Sequence, residues 1–273
     1  MKDGESANEK LYQRAAEVLA GADALLIAAG AGMGVDSGLP DFRGPEGFWN
    51  AYPPLKQLGL NFYAMASQEW FGRDPELAWG FYGHRLHLYR RTPPHRGFDM
   101  LRRWAASMPD GCFVFTSNVD GAFQKASFDQ ERILEAHGSI HYLQRWDRSD
   151  GAIYPAEEWS VEVDETRMRA VPPLPREPGT GALLRPNVLM FGDYLWNAAR
   201  TEEQERRYSD WLEGVSAGDG LAIVEIGAGE AVPTVRYQTE AVARRLRGTL
   251  IRINPREPDV AEELGFGIAE DAL

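Results

Sequence analysis

Apolar residues in this chain gather in short unbroken blocks rather than alternating with polar ones. Ala24-Leu25-Leu26-Ile27-Ala28-Ala29 is the clearest block. Such a run predicts a strand buried on both faces, as in a parallel sheet. Cys112–Thr116, Val188–Phe191, Leu221–Ile226 and Thr249–Ile253 repeat the pattern and are expected to be strands of the same sheet, with a shorter one near Ile133–Glu135. Helical spacing falls between these blocks. Glu9–Leu19 places Leu11, Ala15, Val18 and Leu19 on one face, and Asp120–Ala126, Glu202–Leu212 and Thr234–Leu246 are further helical stretches. Strands alternating with helices predict an α/β fold with a doubly wound parallel sheet, whose ligands lie at the C-terminal ends of the strands.

Two stretches break this rhythm. Residues 45–108 contain no good strand but many aromatics, among them Trp49, Tyr52, Phe62, Trp70, Trp79, Phe81 and Tyr82. They read as a helical excursion forming a lid beside the ligand crevice. Residues 139–185 are rich in charge, Pro and Gly and read as a small inserted module. The α/β core is therefore expected to comprise residues 1–44, 109–138 and 186–273.

Composition narrows the function classes. The 273 residues carry 41 acidic against 29 basic side chains, a net charge of −12. That balance argues against general affinity for nucleic acid or an anionic membrane. The single cysteine, Cys112, excludes an internal disulfide, and its place at the start of an apolar strand fits a structural thiol. No apolar run reaches roughly eighteen residues, and Met1-Lys2-Asp3-Gly4-Glu5 lacks the basic and apolar regions of a signal peptide. A cytoplasmic protein is expected.

Three places carry candidate chemistry. After the first strand, Gly30-Ala31-Gly32 offers a tight turn and close backbone approach to a phosphate, although Val35 stands where the dinucleotide fingerprint has its third glycine. The second strand ends in Thr116-Ser117-Asn118-Val119-Asp120, where Asn118 and Asp120 either point into the crevice or cap a helix. In Glu135-Ala136-His137-Gly138, His137 reads as a general base, as a buried histidine, or as half of a His137/His141 metal pair.

The whole run Gly30-Ala31-Gly32-Met33-Gly34-Val35-Asp36-Ser37-Gly38-Leu39-Pro40-Asp41-Phe42-Arg43-Gly44 resembles the first cofactor motif of the sirtuins, NAD-consuming protein lysine deacylases, with Gly34 in place of the motif's first serine. The later motifs follow in family order. Ser117-Asn118-Val119-Asp120 resembles the family's QNID, with Ser117 replacing Gln, and His137-Gly138 matches its HG. Arg185-Pro186-Asn187-Val188-Leu189-Met190-Phe191-Gly192-Asp193 resembles RPxVVxFGE, with Asp193 replacing Glu. Gly227-Ala228-Gly229 stands at GTS, Asn254 ends the last strand, and Gly267 to Ala272 resembles the adenine-side segment.

The resemblance implies a Rossmann-like NAD-binding core, NAD as cofactor and an acylated protein lysine as partner. It implies that His137 is the base, that Asn118 orients the ribose, and that Asp120 holds the nicotinamide carboxamide. Gly30, Ala31, Gly32, Asp41, Phe42, Arg43, Ser117, Gly227, Ala228, Asn254 and Ala272 would line the cofactor. Val188, Phe191 and Gly192 would meet the substrate peptide. Phe81-Tyr82-Gly83-His84-Arg85 matches the FYxxR of family members that remove acidic acyl groups, so Tyr82 and Arg85 are candidate carboxylate ligands. The alternative is a packed Tyr beside a partly exposed Arg. Where the family's zinc cysteines fall, near Arg145, Ser149, Glu177 and Thr180, there is no thiol, so no structural zinc is expected. Trp146, Tyr154, Trp159 and the prolines are the candidates to hold the module instead. A sirtuin-fold NAD glycohydrolase or ADP-ribosyltransferase, or a non-catalytic NAD sensor, stands as the alternative function.

Overall fold

The computed structural model describes residues 2–40, 45–215 and 220–273. Its strands are β1 (Ala24–Ala29), β2 (Cys112–Thr116), β3 (Ile133–Glu135), β4 (Gly138–Arg145), β5 (Tyr154–Pro155), β6 (Glu162–Asp164), β7 (Arg169–Val171), β8 (Leu184–Val188), β9 (Leu221–Ile226), β10 (Thr249–Ile253) and β11 (Gly265–Ile268). Six of them form one parallel sheet in the order β11-β10-β9-β1-β2-β3. β1, with every residue buried, lies inside the sheet. The chain builds outward from β1 to β3, then returns to β9 on the other side. That reversal makes the β1/β9 gap the topological switch point, where the following loops diverge and open a crevice.

Both faces of the sheet are covered, as the unbroken apolar blocks require. Leu25, Ile27, Val114, Val224 and Ile251 pack under Phe98 and Leu101 of the Arg96–Ala105 helix on one face. Leu26, Phe113, Ile223 and Leu250 meet Tyr208, Trp211 and Val242 of the Ala199–Gly214 and Thr234–Leu246 helices on the other. Among the described residues no helix is long and apolar enough to cross a membrane. Cys112 is a free, partly buried thiol whose pKa burial pushes up, as befits a structural residue.

One expected strand is wrong. Val188–Phe191 does not join the parallel sheet. β8 ends at Val188 and pairs antiparallel with β4 in a separate three-stranded sheet, order β5-β4-β8. The apolar run misled because it borders a cavity: Val188 and Met190 join the core of the helical region, while Leu189 and Phe191 are 37% and 41% exposed. Two side chains on one face of β8 are polar, although the whole strand is buried. Arg185 is fully buried in a bidentate pair with Asp193, at 2.7 and 2.9 Å, and Asn187 donates to Gln144 Oε1 and to the Asn197 carbonyl. β11, too short and glycine-rich to stand out by its pattern, completes the parallel sheet's edge.

Residues 45–108 are helical as expected. Within them the Pro75–Arg91 helix carries Tyr82 and Arg85 and lies under the β6–β7 hairpin. A Cβ at Gly80 would stand 2.1 Å from the Met168 carbonyl oxygen, and one at Gly83 would stand 2.9 Å from Val161 Cγ1. Gly80 lets the hairpin's backbone lie directly on the helix, and Gly83 makes room for the side chains of Val161 and Val163. The Asp74 side chain caps the helix start by accepting from Leu77 N, and Arg169 of β7 grips Asp74 through two bonds of 2.8 and 2.9 Å.

Three of the four positions where the resemblance puts zinc ligands meet in space. Arg145 pairs with Asp147 and Glu177, and Glu177 accepts from Thr180 Oγ1 and from the Tyr154 hydroxyl. Trp146 packs against Gly72, and Trp159 meets Tyr154 edge-on at 5.9 Å. The module is therefore tied by ion pairs and aromatic burial.

Candidate functional site

The loops after β1 and β9 interlock before any ligand is considered. Gly30 N and Gly32 N donate to the Ile226 and Gly227 carbonyls at 2.9 Å. A Cβ on Gly30 would stand 2.6 Å from Ala228 Cα, and one on Gly32 would stand 2.7 Å from Gly227 Cα. Gly227 itself has φ +62°. These glycines are thus required first by the contact between the two loops. The chain then enters a seven-residue 3-10 helix, Ala31–Ser37, closed by Gly38 in the left-handed region at φ +88°.

This contact divides the crevice into two cavities. The larger, about 550 Å³, takes Ala31 and Leu39 from the β1 loop, and Ser117, Asn118, Val119 and Asp120 from the end of β2. His137 follows β3, and Tyr82, Arg85 and Tyr89 come from the Pro75–Arg91 helix. Val188 through Tyr194 form the remaining wall, with Phe62, Tyr63 and Val232 at its sides. The smaller cavity, about 300 Å³, lies beyond Gly32 and Gly227 and is bordered by Asn254, Arg256 and Ala272.

The candidate residues are accounted for as follows. Ala31, Ser117, Asn118, Asp120, His137, Tyr82, Arg85, Val188, Phe191 and Gly192 converge on the larger cavity; Gly32, Gly227, Asn254 and Ala272 border the smaller. Gly30 and Ala228 line neither and sit behind the loop contact. There the Gly30 carbonyl accepts from Asn118 Nδ2 at 2.9 Å, and the Ala228 carbonyl accepts from Asn254 Nδ2 and Arg236 Nε. Asp41, Phe42 and Arg43 lie outside the described residues.

Asn118 and Asp120 both border the larger cavity, and Asn118 caps no helix: its side chain is bonded to the Gly30 carbonyl instead. Asp120, one residue before the Gly121 N-cap of the short Ala122–Lys125 helix, accepts from Ala122 N through Oδ1 at 2.9 Å and also borders the cavity. Burial pushes its pKa above the usual carboxylate range. His137 Nε2 lies 3.2 Å from Thr234 Oγ1, a bond whose donor is set by the ring's tautomer. His141 does not share a metal with it. Its Nε2 donates to the Asp120 carbonyl at 2.8 Å, and burial lowers its pKa. Among the described residues no group of three His, Cys, Asp or Glu side chains is placed to hold a metal ion.

Other participants escape the sequence. Thr234 reaches His137 from a helix far along the chain, and His141 braces Asp120 across β4. Tyr89, one turn beyond Arg85, accepts from Arg85 Nε and Nη2 at 3.1 and 2.6 Å. Only the helical spacing of Tyr82, Arg85 and Tyr89 hints at that cluster. Asp193 braces the Val188–Tyr194 wall by accepting from Met190 N and Leu195 N while paired with Arg185.

A six-stranded parallel sheet with cavities at its switch point, joined to a small antiparallel module, defines an α/β nucleotide-binding class of protein. Within that class the chain belongs to the Sir2 family, whose model matches residues 30–216. It is 29% identical to the NAD-dependent protein deacylase of Deinococcus radiodurans over 263 residues, 95% of this chain and 94% of that protein. It is 35% identical to NAD-dependent protein deacylase 2 of Pyrobaculum aerophilum over 189 residues, 67% of this chain and 66% of that one. In fold it resembles the crystal structure of a Sir2 homolog–NAD complex, with a TM-score of 0.69 at 23% identity, covering 95% of this chain and 89% of that one.

Proposed function

We propose that this chain is an NAD-dependent protein lysine deacylase that takes the acyl-lysine side chain into the larger cavity. The observation that carries the reading is the convergence there of His137, Asn118 and Asp120 with the wall formed by Val188–Tyr194. NAD fits the residues present. Ser117 Oγ is buried without a hydrogen-bond partner among the described residues, Asp120 offers a carboxyl for a carboxamide, and the smaller cavity extends the crevice past the glycine contact. When bound, NAD supplies an anomeric carbon with nicotinamide as leaving group.

This chain's residues then hold and move specific groups. Asp120, fixed by Ala122 N and by His141 on its carbonyl, accepts from the carboxamide and orients the leaving group. Asn118 is locked to the Gly30 carbonyl and presents the rest of its amide to the ribose. His137 takes a proton from a ribose hydroxyl, with Thr234 fixing the ring. β8 is the outer strand of its sheet, so a substrate backbone has an edge to extend. Such an edge, with Leu189 and Phe191 exposed beside it, favours deacylation over simple NAD hydrolysis, which needs no peptide.

The acyl group meets Tyr82 and Arg85. Arg85 is 6% exposed and Tyr82 is 1% exposed, so the alternative of a partly exposed arginine does not hold. A buried guanidinium at a cavity wall suits an acyl chain ending in a carboxylate, such as succinyl or glutaryl. The test follows peptide mass for acetyl-lysine and succinyl-lysine peptides with NAD. The reading expects acyl loss from the succinyl peptide to dominate and to fall at least a hundredfold in His137→Ala. Acyl loss that persists in the variant contradicts it.

A further inference from the structure

We propose that Tyr89 is a positioning residue that sets acyl-charge preference by holding the Arg85 guanidinium at the cavity wall. The inference rests on the acidic-acyl reading above and goes beyond it. Arg85 lies among four aromatic rings, with its guanidinium carbon 5.3 to 5.9 Å from the centroids of Phe62, Phe81, Tyr82 and Tyr89. Rings attract a cation from many directions and so do not fix its orientation. Direction comes from the hydrogen bonds. Nε and Nη2 both donate to the Tyr89 hydroxyl oxygen, which uses both of its lone pairs. That fork turns a mobile side chain into a planar group of set orientation.

Tyr89 is itself held from the opposite end. Lys125 Nζ donates to the carbonyls of Tyr89, Arg90 and Thr92 at 2.5, 2.7 and 2.8 Å, fixing the last turn of the helix. The ring is 6% exposed and packed within the same cluster as Tyr82 and Phe81. Removing the hydroxyl takes away the acceptor that Nε and Nη2 share, and with it a contact that sets the guanidinium's direction. Tyr89 therefore acts on substrate through Arg85.

The experiment compares kcat and KM for succinyl-lysine and acetyl-lysine peptides in the wild type, Arg85→Met and Tyr89→Phe. Tyr89→Phe is expected to lower the succinyl-over-acetyl ratio of kcat/KM at least tenfold. The loss should be carried by the succinyl KM and approach the loss in Arg85→Met. If Arg85→Met loses the preference and Tyr89→Phe keeps it, the Tyr89 proposal is overturned while the acyl reading stands. Equal losses for both peptides mark general structural damage and also overturn it. A wild type with no succinyl preference, unaltered by Arg85→Met, removes the acyl reading and the proposal together. Should Tyr89→Phe fail to fold, Tyr89→Gln keeps an acceptor on a shorter stem. A ratio lowered at least threefold then supports the proposal, and an unchanged ratio overturns it.

Discussion

Asp120 answers two demands that conflict. Its carboxyl is buried at the cavity wall, where burial raises its pKa and penalises the ionised form, yet the proposed mechanism uses it as the acceptor for the carboxamide. A group whose folded pKa is raised costs stability above that pKa, and the cost fades as pH falls toward the unfolded value. Asp120→Asn keeps the acceptor for Ala122 N and removes the charge. The variant is expected to melt higher than the wild type near pH 7, by a margin that narrows on acidification, while nicotinamide release falls at least a hundredfold. A melting series against pH, paired with a nicotinamide assay, checks both halves. Asp193 is a buried carboxyl with several partners. Its carboxylate is fully buried but met by Arg185 and two backbone amides. Asp193→Ala strands the arginine and is expected to cost about 3–5 kcal/mol in denaturant unfolding. Asn118, Asp120 and His137 were legible as chemistry because each ends a strand at the edge where ligands sit. Thr234 was not, since a threonine opening a helix carries no signal until the fold brings it to His137, and Tyr89 was hinted at only by its helical spacing from Arg85.

At the scale of elements, the Pro75–Arg91 helix shows how a site is aimed. Asp74 and Arg169 fix its start, the β6–β7 hairpin presses on Gly80 and Gly83, and Lys125 closes its end. Lys125→Met removes three charge-assisted bonds from the last turn. Because the lysine is exposed to solvent, the loss is expected to be about 1 kcal/mol. Faster amide exchange confined to residues 88–92 is the observation that checks it. Most of the sheet was readable from its apolar blocks, since a strand covered on both faces leaves few polar positions; Glu225 of β9 and Arg252 of β10 are exceptions and pair with each other at 2.6 Å. Val188–Phe191 carries the same signature for another reason. Its apolar side chains border a cavity and β8 pairs outside the parallel sheet, a distinction that hydrophobicity alone does not encode.

For the whole molecule, the small module and the sheet enclose one crevice. Arg145, Glu177, Thr180 and Tyr154 join where the family's ligand positions fall, and Trp146 anchors the module on the helical region. Incubation with a strong chelator is expected to leave the melting temperature within about 1 °C, and elemental analysis to find less than about 0.1 zinc per chain, since structural zinc contributes directly to folding. Stoichiometric zinc would contradict this account of the module. The glycines of the first motif were legible, but their first duty was not: Gly30 and Gly32 make room for the backbone at Gly227 and Ala228. In the proposed function, cleavage of NAD is coupled to an acyl-lysine peptide held along the Val188–Tyr194 wall. The most direct measurement follows free nicotinamide and deacylated peptide together, with the peptide present and absent. One nicotinamide per deacylated lysine, with little release when peptide is omitted, is the expected result. Equal nicotinamide release with and without peptide would contradict it and assign the crevice to NAD hydrolysis.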